Sequence, residues 1–164
     1  MKVNLIIYRQ DDPRKCTALK LIRFKLANQI KKTSPHCLIL NPFAKKMLLS
    51  TDTYIKSITA IDCSWNKIAR VHIKKFIGIH RKLPPLFAGN PINYSKLNKL
   101  TTAEAITAAL FILGYYEIGK KIISKFNWGH SFIELNHNLL DDYSKLKSVE
   151  EIDKILNDYG INKN

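Results

Sequence analysis

The sequence predicts an α/β fold in which a small parallel sheet is followed by an all-helical part. Two observations support this prediction. Short apolar runs alternate with helix-like stretches up to about residue 85, and from Thr101 onwards the pattern is helical only. With 164 residues, 46% of them hydrophobic, the chain can bury a substantial core. We therefore expect an α/β domain over residues 1–85 and a mainly helical domain over residues 86–164, packed closely together.

The predicted strands are short apolar runs, as expected for strands covered on both faces. They are VNLIIY (residues 3–8), CLILNP (37–42), SITAIDCS (57–64) and LFAGNP (86–91). Between them, TALKLIRFKLANQI (residues 17–30) has an apolar helical face that includes Leu19, Ile22, Leu26 and Ile30. Shorter helices are predicted around residues 47–55 and over residues 65–76. This alternation favours a parallel sheet.

Helix starts are predicted in the second half by Ser or Thr residues that precede a Glu by three positions. The pairs are Thr101 with Glu104, Ser131 with Glu134, and Ser148 with Glu151. In this arrangement the two side chains cap each other's backbone amides at the first turn of a helix. Gly114 and Gly160 stand where helix ends would need a left-handed residue.

The chain is strongly basic, with 27 Lys and Arg against 13 Asp and Glu and a formal charge of +14. The excess is spread along the chain, which indicates a surface that faces phosphates. A solvated lysine face is the alternative reading. Three widely separated cysteines and the absence of a signal-peptide pattern predict a reducing, cytoplasmic location. The strongest apolar stretch, residues 105–116, is too short to span a bilayer.

Several common site types have no motif in this sequence. No glycine-rich phosphate-binding loop follows the first strand, and the five histidines have no metal-ligand spacing, so no metal is expected. The stretch Asp62-Cys63-Ser64-Trp65 allows three interpretations: a catalytic cluster, a cofactor cradle, or a plain junction of strand and helix. Cys63 has no neighbouring base to lower its pKa, so a structural role is favoured for it.

Three ordered motifs give the chain a family resemblance. DDPRKCTALKL near the start, DCSW in the middle and RKLPPLFAGNPINYSKLNKLTTAEAITAALFILG resemble those of the ribosomal RNA aminocarboxypropyltransferases. The family's usual LVAANPVNYG stands here as LFAGNPINYS, with Gly89 and Ser95 in place of Ala and Gly. The resemblance covers most of the chain and implies an archaeal member of the family.

The resemblance implies a fold and a reaction. The fold would be a SPOUT-like α/β domain with a trefoil knot that leads into an all-helical C-terminal domain. The reaction would move the 3-amino-3-carboxypropyl group of S-adenosylmethionine to a ring nitrogen (N3) of uridine or pseudouridine in small-subunit rRNA, releasing methylthioadenosine during ribosome biogenesis. A SPOUT-type RNA methyltransferase and a non-catalytic ribosome-assembly protein are the alternatives.

The resemblance also implies the cofactor site. Trp65 would wall off the methyl group, with Ile68 one turn along, and Thr17 would hold the carboxylate of the transferred arm. The other implied contacts are backbone at Ile61 to the ribose, backbone at Leu83 and Asn98 to the adenine, packing by Leu40 and Pro42, and Thr102 nearby. Without the resemblance, Thr17 would be a helix cap and Trp65 a core residue.

Asp62 is the acid of the central motif, and its role stays open at this point. It is either a general base for the ring nitrogen or an acid that orients the site and balances the sulfonium charge. RNA contacts are expected from Lys15, Lys20, Arg23, Lys56 and Lys125, with Lys120 and Lys121 as further candidates. The partner would be small-subunit rRNA or a pre-ribosomal particle and not a membrane, and we expect a monomer.

Overall fold

Five parallel strands form the sheet in the computed structural model, which describes residues 1–8, 12, 16–63 and 73–161. The strands are β1 (Lys2–Ile7), β2 (Asn28–Gln29), β3 (Cys37–Leu40), β4 (Ser57–Asp62) and β5 (Ile79–Arg81). The helices are α1 (Thr17–Arg23), α2 (Thr102–Ile112), α3 (Tyr116–Ile123), α4 (Gly129–Lys145) and α5 (Glu150–Asp158), with a short 3-10 helix at Ile73–Lys75. The predicted α/β class with a parallel sheet is confirmed.

The strand order in the sheet is β2-β1-β4-β3-β5, and every described pairing is parallel. All carboxyl ends therefore lie at one edge, where ligands of open α/β sheets usually bind. Strand β3 ends at Leu40, opposite Ala60, whereas β4 continues to Asp62. On the β3 side, the last two residues of β4 are paired with none of the described strands.

The helix predicted over residues 17–30 is wrong beyond Arg23. Lys25 adopts a left-handed φ of 56°. Around it, Lys25 N–H donates to the Ile22 carbonyl (2.9 Å) and Leu26 N–H donates to the Leu21 carbonyl (3.0 Å), which is a Schellman motif. This motif ends the helix after two turns, and the chain returns to the sheet as β2.

Two further predictions from the first half are wrong. Residues 47–55 form turns instead of a helix, because Asp52 accepts a hydrogen bond from Leu49 N–H (3.2 Å) and is held by Arg81. The segment LFAGNP is not in the sheet but forms one side of an irregular antiparallel hairpin, in which Phe87 bridges Leu97. Its place at the sheet edge is taken by β5, which the sequence did not predict.

In the helical second half, both helix ends that were predicted at glycine residues are confirmed. Gly114 (φ 80°) and Gly160 (φ 64°) are left-handed and follow α2 and α5. The capping box of Thr101 and Glu104 is confirmed.

The other two predicted helix starts are wrong in position. Helix α4 begins at Gly129, so Ser131 lies within its first turn and caps nothing. Helix α5 begins at Glu150 after Val149, although Ser148 does donate a hydrogen bond to the Glu151 carboxylate (3.1 Å).

One hydrophobic core joins the sheet to the helices. It contains Leu5 of β1, Ile58 of β4, Ile106 of α2 and Leu140 of α4, so it crosses the predicted boundary at residues 85 and 86. A smaller cluster of Cys37, Ile39 and Ile73 lies on the other face of the sheet. Most of the helix predicted over residues 65–76 lies outside the described residues. In the described ranges, no helix is long and apolar enough to cross a membrane.

Candidate active site

A cavity of about 460 Å³ opens at the carboxyl edge of β3 and β4. Its floor comes from the strand ends, and its far wall comes from the segment between β5 and α2. Apolar side chains make up most of the lining, including Leu40, Ala60, Leu83, Leu97 and Leu100, with a few polar groups between them. This size and character are typical of small-molecule sites.

The structure brings many of the predicted cofactor residues together around this cavity. Those that line it are Leu40, Pro42, Ile61, Leu83, Asn98 and Thr102. Asp62 and Thr17 stand beside the cavity, behind Thr102 and its neighbour Ala103. The prediction for Trp65, and that for Ile68, lies outside the described residues.

The backbone of two lining residues determines what they can offer a ligand. Asn98 is left-handed (φ 59°), and its N–H donates to the Leu86 carbonyl (2.9 Å). The backbone amide of Asn98 is therefore already paired within the protein. Ile61 lies on the part of β4 that extends beyond β3, so its backbone faces the cavity.

Asp62 is bound by two neutral donors from two different helices. The Cys16 thiol donates to one carboxylate oxygen (3.2 Å), and the Thr102 hydroxyl donates to the other (2.7 Å). Cys16 is the N-cap of α1 and Thr102 is the first residue of α2. The carboxylate therefore joins the starts of both helices to the end of β4, and it fixes the side chain of Thr102 in the cavity wall.

Cys16 is the N-cap of α1, and its sulfur takes part in two hydrogen bonds. It accepts from Leu19 N–H (3.4 Å) while it donates to Asp62. Burial, with a smaller contribution from the negative charge of Asp62, raises the pKa of the Cys16 thiol from its ordinary value of 9.0 to about 11. The thiol is therefore protonated at neutral pH and available as a donor.

Thr17 follows this cap and is nearly buried. Its hydroxyl oxygen accepts a hydrogen bond from Ala103 N–H (3.3 Å), which joins α1 to α2 directly. The cap itself is Cys16, so the helix-cap interpretation of Thr17 is wrong.

Glu104 on α2 holds the loop that forms the cavity wall. Its fully buried carboxylate accepts hydrogen bonds from Gly89 N–H (2.7 Å), Asn90 N–H (3.0 Å) and the Asn90 amide (2.9 Å). It also accepts from the Thr101 amide and hydroxyl at 2.6 and 2.8 Å. A buried carboxylate needs such donors because burial without them is costly. The Glu of the capping box is thus also the anchor of residues 88–91, the AGNP loop.

Helix α4 holds the same loop from the other side. The buried Asn136 side chain accepts from Phe87 N–H and donates to the Phe87 carbonyl, both at 2.8 Å. The Tyr143 hydroxyl donates to the Pro85 carbonyl (2.9 Å). Burial raises the pKa of Tyr143, so this phenol stays protonated. Residues 85–90 are therefore fixed between two helices.

A second, shallower cleft adjoins the cavity. It is lined by Asn41, Phe43, Ala44, Lys45, Lys46 and His80. Asn41 belongs to both linings, so the two are contiguous.

The predicted RNA-binding residues are spread over different faces. Lys20 lies over the ring of Phe126 (5.9 Å) and Lys125 over that of Phe24 (5.8 Å), so these two lysines share one surface of α1 and the segment after α3. Arg23 is exposed at the end of α1. Lys56 precedes β4 and so lies at the opposite edge of the sheet from the cavity. Lys15 lies outside the described residues.

Sequence reasoning missed Cys16, Asn136 and Tyr143. Asn136 and Tyr143 had a detectable signal, since they fall on the apolar face of α4 with Phe132 and Leu139. A polar residue at such a position needs a specific partner. Cys16 had no signal of this kind, because only the fold brings it to Asp62.

Family models match both ends of the chain. Residues 38–160 match the family described as ribosome biogenesis protein, C-terminal. Residues 1–33 match a possible Fer4-like domain in RNase L inhibitor. Iron–sulfur clusters are usually held by four cysteines, and this segment contains Cys16 alone, so its donor set does not fit a cluster.

Named relatives match almost the whole chain. The 16S rRNA aminocarboxypropyltransferase of Methanosarcina acetivorans is 45% identical over 96% of this chain and 94% of its own length. The protein of the same name from Sulfurisphaera tokodaii is 44% identical over 93% and 91%. Among solved structures, a SAM-dependent rRNA:acp-transferase from Vulcanisaeta distributa covers 98% of this chain and 90% of its own, with a TM-score of 0.85 and 34% identity.

Proposed function

Because the chain belongs to the 16S rRNA aminocarboxypropyltransferase family, we propose that it transfers the 3-amino-3-carboxypropyl group of S-adenosylmethionine to small-subunit rRNA in ribosome biogenesis. The observation that carries this proposal is the cavity at the carboxyl edge of β3 and β4, formed by residues of all three family motifs or held in place by them. The acceptor atom we propose is N3 of a uridine or pseudouridine.

The cavity suits S-adenosylmethionine in size and chemistry. About 460 Å³ lies within the usual range for small-molecule sites, and the apolar walls at Leu40, Leu83 and Leu100 suit an adenine ring. When bound, this donor supplies a sulfonium, a carbon attached to it that the ring nitrogen attacks, and methylthioadenosine as the leaving group. The chain's contribution is to orient the donor, since orientation decides which of the three carbons is transferred.

The proposed contacts divide by the part of the donor that they hold. Leu40 and Pro42 pack on the base, the backbone at Leu83 and Asn98 meets its polar edge, and the Ile61 backbone meets the ribose. Trp65 walls off the methyl group. Thr17 and Thr102 are assigned to the amino acid arm, Thr17 being bonded to Ala103 of α2 and Thr102 to Asp62 of β4.

For Asp62 we propose an orienting role. Both carboxylate oxygens already accept hydrogen bonds, and the side chain stands behind Thr102 instead of lining the cavity. Its negative charge still lies close enough to the cavity to favour a cationic ligand. A general base, by contrast, needs direct reach to the proton it removes.

The remaining parts of the proposal concern RNA, assembly and ancestry. RNA contacts are assigned to Lys15, Lys20, Arg23 and Lys125, and a weaker one to Lys56, which lies at the opposite edge of the sheet from the cavity. The protein acts as a cytoplasmic monomer. Residues 1–85 and 86–164 form the two domains, although they share one core.

We also propose a SPOUT-like trefoil knot and an archaeal origin. The knot rests on the family resemblance, and the origin is supported by the Methanosarcina and Sulfurisphaera relatives.

A double-label experiment tests the reaction. Unmodified small-subunit rRNA is incubated with the protein and with S-adenosylmethionine labelled either in the methyl or in the carboxyl carbon. We expect carboxyl label alone to enter the RNA. Transfer of methyl label would instead identify a methyltransferase, and RNA binding without any transfer would identify an assembly factor.

A further inference from the structure

The cleft beside the cavity has features that the proposed donor site does not use. Phe43 is 57% exposed although it is a large apolar residue, and Lys45 and Lys46 beside it are exposed as well. Among the described residues, none that lines this cleft is acidic. An exposed ring next to two cations is the usual platform for a single nucleic acid strand.

The floor of the cleft is held together by hydrogen bonds. Asn41 accepts a hydrogen bond from Phe43 N–H (2.9 Å) and donates to Nδ1 of His80 (3.1 Å). Nε2 of His80 is hydrogen-bonded to the Phe76 carbonyl (2.9 Å), so both ring nitrogens of His80 have partners. Lys45 and Lys46 bring positive charge to the cleft, and the backbone of Phe43 is held by its hydrogen bond to Asn41.

The lysines are also anchored to the sheet. Lys82 N–H donates to the Lys46 carbonyl (3.0 Å), and Leu48 N–H donates to the Lys82 carbonyl (2.8 Å). Lys82 itself lines the larger cavity. The cleft thus has a fixed position relative to the site where the group is transferred.

We propose that the RNA strand flanking the modified nucleotide lies in this cleft, with a base stacked on Phe43 and phosphates at Lys45 and Lys46. This inference rests on the proposed function, because it needs an RNA nucleotide at the neighbouring cavity. The shared residue Asn41 marks where the strand passes from the cleft to the cavity. Aromatic stacking tolerates different bases, so the cleft contributes affinity and register, and little sequence specificity.

The test measures the affinity of a labelled small-subunit rRNA fragment by fluorescence anisotropy at several salt concentrations. Lys45→Gln/Lys46→Gln should weaken binding about tenfold and lower the salt slope by roughly 0.7 for each lost contact. Phe43→Leu should weaken it about fivefold with the slope unchanged, whereas Phe43→Tyr should bind like the unaltered protein. S-adenosylmethionine affinity, measured in parallel, should stay constant in all of these variants.

The matched control is Lys31→Gln/Lys32→Gln. This exposed pair follows β2, which β1 and β4 separate from β3, and its replacement changes the net charge equally. Equal losses for both pairs, or none for Lys45 and Lys46, would overturn the proposal for the cleft while leaving the transfer reaction intact. If the unaltered protein transfers no group but the cleft variants still lose RNA affinity, the proposed reaction fails and the cleft stands.

Discussion

Residue by residue, the sequence identified the positions of the site better than the roles of its side chains. Leu40, Ile61 and Leu83 line the cavity as expected. Asp62 is different, since its carboxylate is held by Cys16, a residue 46 positions away that only the fold brings near. Contacts of this kind depend on the packing of α1 against the sheet, so no local pattern reports them.

The protonated thiol of Cys16 leads to a prediction about alkaline pH. Its pKa is raised to about 11 in the folded protein, so the folded state holds this proton more tightly than the unfolded state does. Its contribution to stability is complete below the ordinary value of 9.0 and is lost as the pH rises towards 11. We expect Cys16→Ser, whose hydroxyl does not ionise in this range, to lose less stability on alkalinisation.

Urea denaturation of both proteins at about pH 8 and about pH 10 measures this difference. Cys16→Ala controls for the hydrogen bond, because it removes both the ionisation and the donor to Asp62. An identical decline in the original protein and in Cys16→Ser would contradict the role given to the thiol.

At the level of the elements, the hairpin that contains the AGNP loop carries both departures from the family pattern, at Gly89 and Ser95. A Cβ at Gly89 would lie 2.3 Å from the backbone nitrogen of Phe132 in α4, far inside contact distance. Ser95, by contrast, keeps a left-handed φ of 61° without being glycine. The two positions are close in sequence, but restoring the family residue should destabilise the protein at Gly89 and stabilise it at Ser95.

Gly89→Ala should destabilise the protein by about 1–3 kcal/mol, because the added methyl group overpacks the contact with α4. Displacement of the loop should also disturb the hydrogen bond from the Gly89 amide to Glu104. S-adenosylmethionine affinity should therefore fall together with stability. Thermal unfolding and cofactor titration measure the two effects. Unchanged values for both would mean that α4 moves away at no cost.

Ser95→Gly should stabilise the protein by up to about 1 kcal/mol, since a left-handed conformation is costly for a residue with a Cβ. The greater freedom of glycine in the unfolded chain limits the gain. The hydrogen bond from Ser95 N–H to the Ala88 carbonyl (2.7 Å) is kept in the variant. A lower midpoint of urea denaturation would show that the serine side chain has a stabilising contact.

The elements also show where sequence reasoning fails. Apolar runs located β1, β3 and β4, and the capping box located α2, because each of these signals is local. Helix α1 is shorter than its apolar face predicts, since Lys25 takes a conformation that usually belongs to glycine. Strand β5 was missed because it contains His80 and Arg81, whose polar side chains do not resemble those of a buried strand. In the structure these side chains are hydrogen-bonded to Asn41 and Asp52.

On the scale of the whole molecule, the charge of +14 is not one uniform surface. Lys20 and Lys125 share the surface of α1 and the segment after α3, whereas Lys56 lies at the amino edge of the sheet. Composition indicated a surface that faces phosphates, but only the topology separates these lysines. The α/β class was predictable because it depends on periodicity along the chain. The positions of the lysines on the surface were not, because they depend on how the elements pack.

Because these lysines lie on different surfaces, their replacement should affect rRNA binding unequally. Lys20→Glu should weaken rRNA binding several-fold and reduce its salt dependence, because a phosphate contact is lost. Lys56→Glu, an identical change in charge, should have a smaller effect, since an RNA that reaches the cavity passes Lys56 only if it extends across the sheet. Anisotropy titrations over a range of salt concentrations compare the two. A larger loss for Lys56→Glu would mean that the RNA path crosses the amino edge.

The hydrogen bonds that hold residues 85–90 to α4 link the completion of the cavity wall to the synthesis of α4. Phe87 and Asn136 are 49 residues apart in the chain, and Pro85 and Tyr143 are 58 apart. Each contact closes a long loop, and neither can form before both of its partners have been synthesised. During synthesis, the cavity wall therefore stays incomplete until α4 has been made and has docked. The ability to bind the donor then reports that nearly the whole chain has been made and folded.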